Sequence, residues 1–390
     1  MSDVRELELY FHIPFCVKKC LYCDFLSAPA DAGTREAYMK ALLAEVEQKA
    51  GGYRDSRVSS VFVGGGTPSV VEPLWIRRLL ETVRERFIVS EDAEITVEVN
   101  PGTVGRDALS QYRQAGVNRL SIGLQSADEG ELRALGRIHT YEQFLATYDA
   151  AVSSGFVNIN VDLMSALPGQ SSDSYRRTLE KVLALEPRPE HISAYSLILE
   201  EGTPLYRLAQ SGSLDLPDED TEREMYHETK RILERAGYVR YEISNYALEG
   251  FACRHNCGYW TRREYLGFGL GASSFYNNVR YKNTCDMNRY ITAPAACREE
   301  VQNLSREEQM EEFMFLGLRL TEGIDPAGFV RCFGCSPEEI YGNVIEKNIR
   351  QGLLRRFKHR EKDGTEGERL ALTELGLDVS NYVMQQFLLS

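Results

Sequence analysis

The segment Cys16-Val-Lys-Lys-Cys20-Leu-Tyr-Cys23 carries three thiols in the spacing C-x3-C-x2-C. Three thiolates on one short loop can hold three irons of a [4Fe–4S] cube. The fourth iron is then left open, as a catalytic zinc keeps one position free. An open iron suits chelation by the amino and carboxylate groups of S-adenosylmethionine (SAM), which takes an electron from a reduced cluster in radical chemistry. Zinc is the rival metal. It needs a fourth ligand and usually takes paired cysteine knuckles. His12 is a candidate, but an in-strand position four residues before Cys16 aims poorly. The ligand count favours the cluster.

A second set of polar residues ends the apolar runs that follow. Gly64-Gly65-Gly66-Thr67-Pro68 comes after one run. It lets the backbone approach a ligand edge-on, although a tight turn needs the same glycines. Glu98, Gln125 and Asp162 lie at the ends of later runs, and Arg137 sits in the loop Gly136-Arg137-Ile138-His139. Carboxylates among apolar residues are costly unless partnered. Two readings stay open on chemistry alone. Glu98 and Asp162 hold the hydroxyls or cationic end of a cofactor while Arg137 clamps its carboxylate, or the three form an internal salt-bridge network.

A third motif is Cys253-Arg-His255-Asn256-Cys257-Gly-Tyr259-Trp260. Imidazole and thiolate are both haem-iron ligands, and the two aromatic residues can stack on a flat macrocycle. Chemistry alone favours the alternative, a loop packed on the barrel with His255 hydrogen-bonded. Two further features read as structural. Cys332-Phe-Gly-Cys335 is a pair of helix-end thiols with no supporting redox motif. Arg355-Arg-Phe-Lys-His-Arg360 is a solvated hairpin edge, interrupted by Glu361, Asp363 and Glu366.

Short apolar runs alternate with helical periods and must position these residues. Strands are expected at 7–13, 58–63, 95–99, 120–124, 157–163 and 192–197, and helices at 34–50, 72–87, 103–115, 141–154 and 171–185. Thr34 and Thr103 read as helix N-caps, and Gly116, Gly155 and Gly237 as helix ends. Val- and Ile-rich strands suggest a parallel sheet buried on both faces. The repeated β-then-α units predict an α/β fold with a partial or closed parallel (β/α) barrel. Its site should lie at the C-terminal ends of the strands, where the cysteine loop falls. The expected division is a barrel over 1–237, an irregular connecting segment over 238–304, and a mostly helical, winged-helix-like domain over 305–390. In that last part helices are expected at 305–320, 336–351 and 370–387, with a hairpin at 353–372.

A net charge of −13 disfavours a nucleic-acid partner, and with it a winged-helix nucleic-acid binder. No apolar run approaches the length of a membrane span. Residues Met1–Glu6 lead straight into a strand, so no secretory signal is expected. Nine cysteines, an odd number, fit reduced thiols in the cytoplasm better than a disulfide framework.

Taken together, the cysteine spacing and the Gly-Gly-Gly-Thr-Pro run resemble the radical SAM superfamily. His12-Ile-Pro-Phe-Cys16, Glu98-Val-Asn-Pro-Gly102, Gly116-Val-Asn-Arg-Leu-Ser-Ile-Gly-Leu-Gln-Ser126 and Leu135-Gly-Arg-Ile-His139 extend the resemblance to the coproporphyrinogen III oxidase-like branch, over nearly the whole chain. The resemblance implies a cluster on Cys16, Cys20 and Cys23. It implies SAM contacts at Tyr10, Tyr22, Gly65, Gly66, Thr67, Glu98, Gln125, Arg137 and Asp162, which favours ligand contacts over a salt-bridge network. The branch contains oxidases, which convert coproporphyrinogen III to protoporphyrinogen IX by radical decarboxylation, and haem chaperones. Oxidases carry a further cysteine where this chain has Phe25, and a long extension where fifteen residues precede Cys16. His255-Asn256-x-x-Tyr259-Trp260 matches the chaperones' motif. The resemblance therefore implies a haem chaperone, with His255 as haem contact and no role carried over to Cys257. Its implied partners are haem, haem-acceptor proteins including transient membrane-protein acceptors, an electron donor for the cluster, and a second copy in a homodimer.

Overall fold

The structure, a computed structural model, describes residues 5–360, 364 and 366–389. Six strands form its centre: β1 (Arg5–Ile13), β2 (Ser56–Gly65), β3 (Ile88–Val99), β4 (Arg119–Gln125), β5 (Ile159–Ser165) and β6 (His191–Ser196). They pair in sequence order, all parallel. Helices Ala32–Lys49, Pro73–Arg86, Arg106–Gln114, Tyr141–Ser153 and Ser172–Leu183 fill the crossovers. All the expected barrel strands and helices are present, with ends shifted by a few residues except at β3, which starts seven residues early.

Two expected caps are replaced. The Asp31 carboxylate accepts from Thr34 N at 2.7 Å and caps the first helix itself. Gly105 precedes the helix that Thr103 was expected to start. The Thr103 hydroxyl instead donates to the Asn100 carbonyl at 2.6 Å. Gly116, Gly155 and Gly237 do follow helix ends, with φ of 90°, 84° and 91°, a conformation glycine adopts without steric cost.

The strands are not apolar on both faces. Leu7, Leu9, Phe11 and Ile13 of β1, Ile95, Val97 and Val99 of β3, and Leu120, Ile122 and Leu124 of β4 are buried in the main core. The alternate residues face the other way, as a strand's period of two requires. They are Glu8, Tyr10 and His12; Ser60 and Phe62; Glu94, Thr96 and Glu98; Arg119 and Ser121; Asn160 and Asp162; His191, Ser193 and Tyr195. The outer face packs on helices, whereas the inner face surrounds a polar lumen.

The segment 238–304, expected to be irregular, contains six strands: β7 (Val239–Arg240), β8 (Asn245–Ala247), β9 (Tyr265–Phe268), β10 (Ser273–Tyr276), β11 (Val279–Asn283) and β12 (Arg298–Asn303). They complete one sheet in the order β12-β11-β10-β9-β1-β2-β3-β4-β5-β6-β8-β7. β9 and β8 flank the central six, and β6 does not pair with β9, so the barrel is partial. Most of these strands are too short to show a period, and β12, as long as β6, is almost wholly exposed and has no apolar face to show one. One signal was available: Asn277 and Asn278, between β10 and β11, both have positive φ, as a tight hairpin turn demands.

The C-terminal part has its own core, including Met314, Phe329, Phe333, Tyr341, Ile345, Leu370 and Phe387. Helices Arg306–Gly317, Pro326–Phe333 and Pro337–Arg350 precede a hairpin of β13 (Leu354–Arg360) and β14 (Glu366–Leu372). The single helix expected over 370–387 is instead the end of β14 followed by short helices Glu374–Asp378 and Ser380–Met384, because Leu370–Leu372 pair with β13. Arg356 of the basic hairpin edge meets Glu338, Glu346 and Glu368, while Glu361 and Asp363 lie outside the described residues. Among the described residues no helix is long and apolar enough to cross a membrane.

Candidate cofactor site

The lumen opens at the C-terminal ends of the strands into a cavity of about 500 Å³. Cys16, Cys20 and Cys23 line it, together with Tyr10, Tyr22, Gly65, Gly66, Thr67, Glu98, Gln125, Arg137 and Asp162. Every residue expected to hold the cluster or SAM therefore meets in one place. His255 does not line this cavity; its neighbour Asn256 does.

The cysteine loop is tied at its base. Cys16 N donates to Ala28 O at 3.2 Å and Ala28 N to Pro14 O at 3.0 Å. Two protein groups already address its sulfurs. The Thr67 hydroxyl donates to Cys16 Sγ at 3.5 Å, and Arg137 Nη1 donates to Cys20 Sγ at 3.7 Å. Such bonds stabilise thiolates and tune a cluster's potential. His12 is no fourth zinc ligand: Nε2 bonds to Leu26 O at 2.8 Å and Nδ1 to Tyr10 OH at 3.0 Å. By type and number three partly exposed thiols beside a cavity fit a cluster with one open iron, although among the described residues no three such side chains are drawn together as a metal-binding group.

The glycine run carries a second role beside the expected one. A Cβ on Gly66 would meet Phe15 O at 2.6 Å and Ile13 O at 2.9 Å; one on Gly65, whose φ is 109°, would meet the His12 ring at 2.5 Å. These neighbours are protein, not empty cavity. The glycines let this loop nest on the end of β1, where Gly66 N donates to Ile13 O at 2.9 Å and Thr67 N to Phe15 O at 2.7 Å. The same glycines line the cavity, so their packing on the cysteine loop adds a structural requirement to the expected ligand contact.

The two acidic groups are not joined to Arg137 in a salt bridge. Arg137 Nη2 donates to Gly123 O at 2.6 Å and Nη1 to Asn100 Oδ1 at 3.4 Å, and its buried Nε has no partner. A Cβ on Gly123 would lie 2.6 Å from Nη2, so a side chain there would displace the guanidinium from this position. Glu98 accepts from Gly65 N at 3.0 Å. Its pKa is pushed up to about 7 by burial, with the Asp162 charge adding and the Gly65 amide opposing. Asp162 accepts from Asn160 at 2.8 Å, Tyr195 at 3.1 Å and Ser121 at 3.2 Å. Burial raises its pKa, and these three bonds oppose the rise. Two carboxyls face one cavity without a paired cation on either, an arrangement that receives hydroxyls or a positive charge. Tyr22 packs against Leu135, Met164 and Leu167, and burial raises its phenol to about 12. Gln125 adopts a left-handed φ of 69°, an uncommon conformation for a non-glycine residue.

His255 lies at the closed, N-terminal end of the lumen and is 1% exposed. Its Nδ1 meets Ser60 Oγ at 2.8 Å, its Nε2 meets Tyr259 OH at 3.0 Å, and its ring stacks on Phe62 with centroids 5.1 Å apart. Burial, with the Arg119 charge adding, lowers its pKa to about 3, so the imidazole is neutral. Trp260 stacks under Arg319 at 4.2 Å rather than on open surface. Cavity residues that were not anticipated include Asn100, Arg119, Asn160, Ser193 and Asn256. The inward alternation of Arg119, Asn160 and Ser193 on β4, β5 and β6 was legible; Asn256 stood in the His255-Asn256-x-x-Tyr259-Trp260 motif, but nothing local showed that it, and not His255, would face the cavity.

Comparison with known proteins agrees with this geometry. Residues 10–182 match the Radical SAM superfamily, and residues 304–379 match the HemN C-terminal domain. The heme chaperone HemW of Lactococcus lactis is 37% identical over 381 residues, 97% of each chain. That of Escherichia coli is 34% identical over 365 residues, 91% of this chain and 93% of its own. The mitochondrial radical S-adenosyl methionine domain-containing protein 1 of Danio rerio is 37% identical, covering 83% of this chain and 75% of its own. The solved coproporphyrinogen III oxidase HemN of Escherichia coli superposes with a TM-score of 0.82 at 24% identity, over 99% of this chain and 90% of its own, which shows the shared fold. With identity of this level running end to end through the relatives, the chain belongs to the HemW family of the radical SAM superfamily.

Proposed function

We propose that this protein is a haem chaperone that binds a [4Fe–4S] cluster, SAM and haem and passes haem to acceptor proteins. The observation that carries the choice over the oxidase is Phe25. It lines the cavity beside the cysteine loop and is 67% exposed, at the position where oxidases of this branch are expected to carry a further cysteine. The names of the full-length relatives point the same way.

Cys16, Cys20 and Cys23 hold the cluster, and Thr67 and Arg137 donate to its thiolates. The cluster, when bound, supplies one-electron reduction of SAM. The chain's own residues orient the cofactor: Glu98 is fixed by the Gly65 amide, Asp162 by Asn160, Ser121 and Tyr195. For haem the reading names His255, with a condition set by its burial. The imidazole must leave Ser60 and Tyr259 before either nitrogen reaches an iron. Acceptor proteins, membrane proteins among them, an electron donor, a second copy of the chain and a cytoplasmic setting complete the proposal.

Anaerobic incubation of reconstituted protein with coproporphyrinogen, followed by haem titration, tests it. The expected result is haem binding without decarboxylation. Vigorous decarboxylation with no haem uptake would replace the chaperone by the oxidase.

A further inference from the structure

The helix Arg254–Trp260 closes the bottom of the lumen and is clamped from several sides. Glu94 of β3 accepts from His255 N and Arg254 N, each at 3.1 Å, and from Cys253 Sγ at 3.5 Å. Ser60 and Tyr259 hold the His255 ring. Gly258 lies so close to β1 that a Cβ would fall 2.0 Å from Glu8 Oε1. Trp260 is pinned by Arg319. Among the described residues the polar groups of this helix left without a hydrogen bond include the buried Trp260 Nε1 and, facing the cavity, the Asn256 carboxamide.

A second observation lies beside it. Arg119, 2% exposed, also lines the cavity, and its Nε has no hydrogen-bond partner. The unpartnered Arg119 Nε is a costly buried group; the Asn256 amide is only half-buried, so its hydrogen-bonding capacity is open to what occupies the cavity. Glu98 and Asp162 provide for a charged or hydroxyl-bearing end of a ligand. An amide offers something else, an acceptor and two donors on one plane. That set matches the adjacent acceptor and donor on the edge of an adenine ring.

We propose that Asn256 is a ligand contact of the cavity floor, hydrogen-bonding the nucleoside end of SAM while the clamped helix holds it in place. The proposal rests on the reading that this cavity takes SAM. It gives the motif a role in the cofactor site that is separate from haem, with His255 facing the barrel wall and Asn256 the ligand.

Isothermal titration of anaerobically reconstituted protein decides it, with SAM, 5′-deoxyadenosine and methionine as separate titrants. Asn256→Ala and the near-isosteric Asn256→Leu should each weaken SAM about tenfold, the value of one or two lost hydrogen bonds. The same loss should appear with 5′-deoxyadenosine and not with methionine. Iron and sulfide content should stay at the parent level, because Asn256 touches no cluster cysteine. Unchanged SAM affinity in a folded, cluster-loaded variant overturns the proposal, as does a loss confined to methionine. A parent that holds a cluster and binds no SAM would overturn the cavity assignment and this proposal with it, an outcome distinct from the other two.

Discussion

The C-terminal rim and the His255 pocket at the other end of the lumen use their key side chains in opposite ways. At the C-terminal rim the polar groups are held in place but left with unused capacity. Three thiols are partly exposed, Arg137 Nε is unpartnered, and Glu98 is raised to about 7 by burial. In the His255 pocket the imidazole is spent on the protein itself, unlike its neighbour Asn256: both His255 nitrogens are bonded, and its pKa is lowered to about 3 by burial. Residues of similar chemical promise thus differ in whether the fold leaves them free. A ligand site is recognised by that remaining capacity, and a structural site by its absence.

Removing a cluster ligand should have the largest effect at the rim. Cys20→Ser should eliminate the cluster, taking anaerobic reconstitution from about four irons per chain to a background level, because two thiolates do not retain a cube. Iron and sulfide assays with the visible spectrum read this directly. A parent that takes up zinc and no sulfide would remove the rim from the comparison altogether.

Next comes the glycine loop, where rim and scaffold meet. Gly66→Val should damage folding, since its Cβ would press on Phe15 O and Ile13 O at 2.6 and 2.9 Å. A loss of about 3 kcal/mol or more is expected for a backbone clash of this kind, visible as a fall in Tm and in expressed folded protein. A stable variant that has lost SAM affinity alone would show that the loop serves the ligand first.

At the floor, His255→Ala should lower stability by about 2–4 kcal/mol, through a cavity and through Ser60 and Tyr259 left without their partner. Cluster content should survive. Haem titration of the same variant sharpens the contrast: weakened binding with a shifted Soret band makes His255 an iron ligand that the floor releases, whereas unaltered binding leaves it structural.

The smallest effect is a pH dependence from Glu8. This carboxyl is fully buried with no hydrogen bond on either oxygen, Arg263 and His255 each standing 3.8 Å away, and burial pushes its pKa up to about 8 against the opposing Arg263 charge. A folded pKa above the unfolded one means that the folded state keeps the proton. The protective contribution is complete below the unfolded value of 4.5 and is lost as pH rises towards 8. Denaturant melts from pH 5 to 9 should therefore show falling stability, and Glu8→Gln, which mimics the protonated form, should flatten the fall by about 1–3 kcal/mol. Glu98, raised to about 7, contributes in the same window, so Glu98→Gln serves as the rim counterpart. A parent profile that rises over this range would show Glu8 ionised and paired.

Much of the rim was readable before any folding was considered. Cysteine spacing alone set the ligand count, and the period of the apolar runs placed each polar residue at a strand end. Residues such as Glu98, Gln125 and Asp162 then converge because parallel strands in sequence order bring their C-terminal ends together. The sequence by itself therefore determined the cysteine loop, the six central strands and the strand-end places of Glu98, Gln125 and Asp162, while Tyr10 and Tyr22 followed only from the family resemblance. The tertiary structure decided the rest. Whether Glu98 and Asp162 pair with Arg137 depended on where Gly123 and Asn100 drew the guanidinium. That Gly66 packs on the cysteine loop as well as lining the cavity depended on Phe15, far from it in the chain. Above all, the burial of His255 and the exposure of Asn256 to the lumen depended on Ser60, Phe62 and Glu94, contributed by strands some 160 to 195 residues away. Local spacing carries covalent and periodic constraints; it carries no record of which distant groups will satisfy a hydrogen bond, and that pairing is what separates a site from a scaffold.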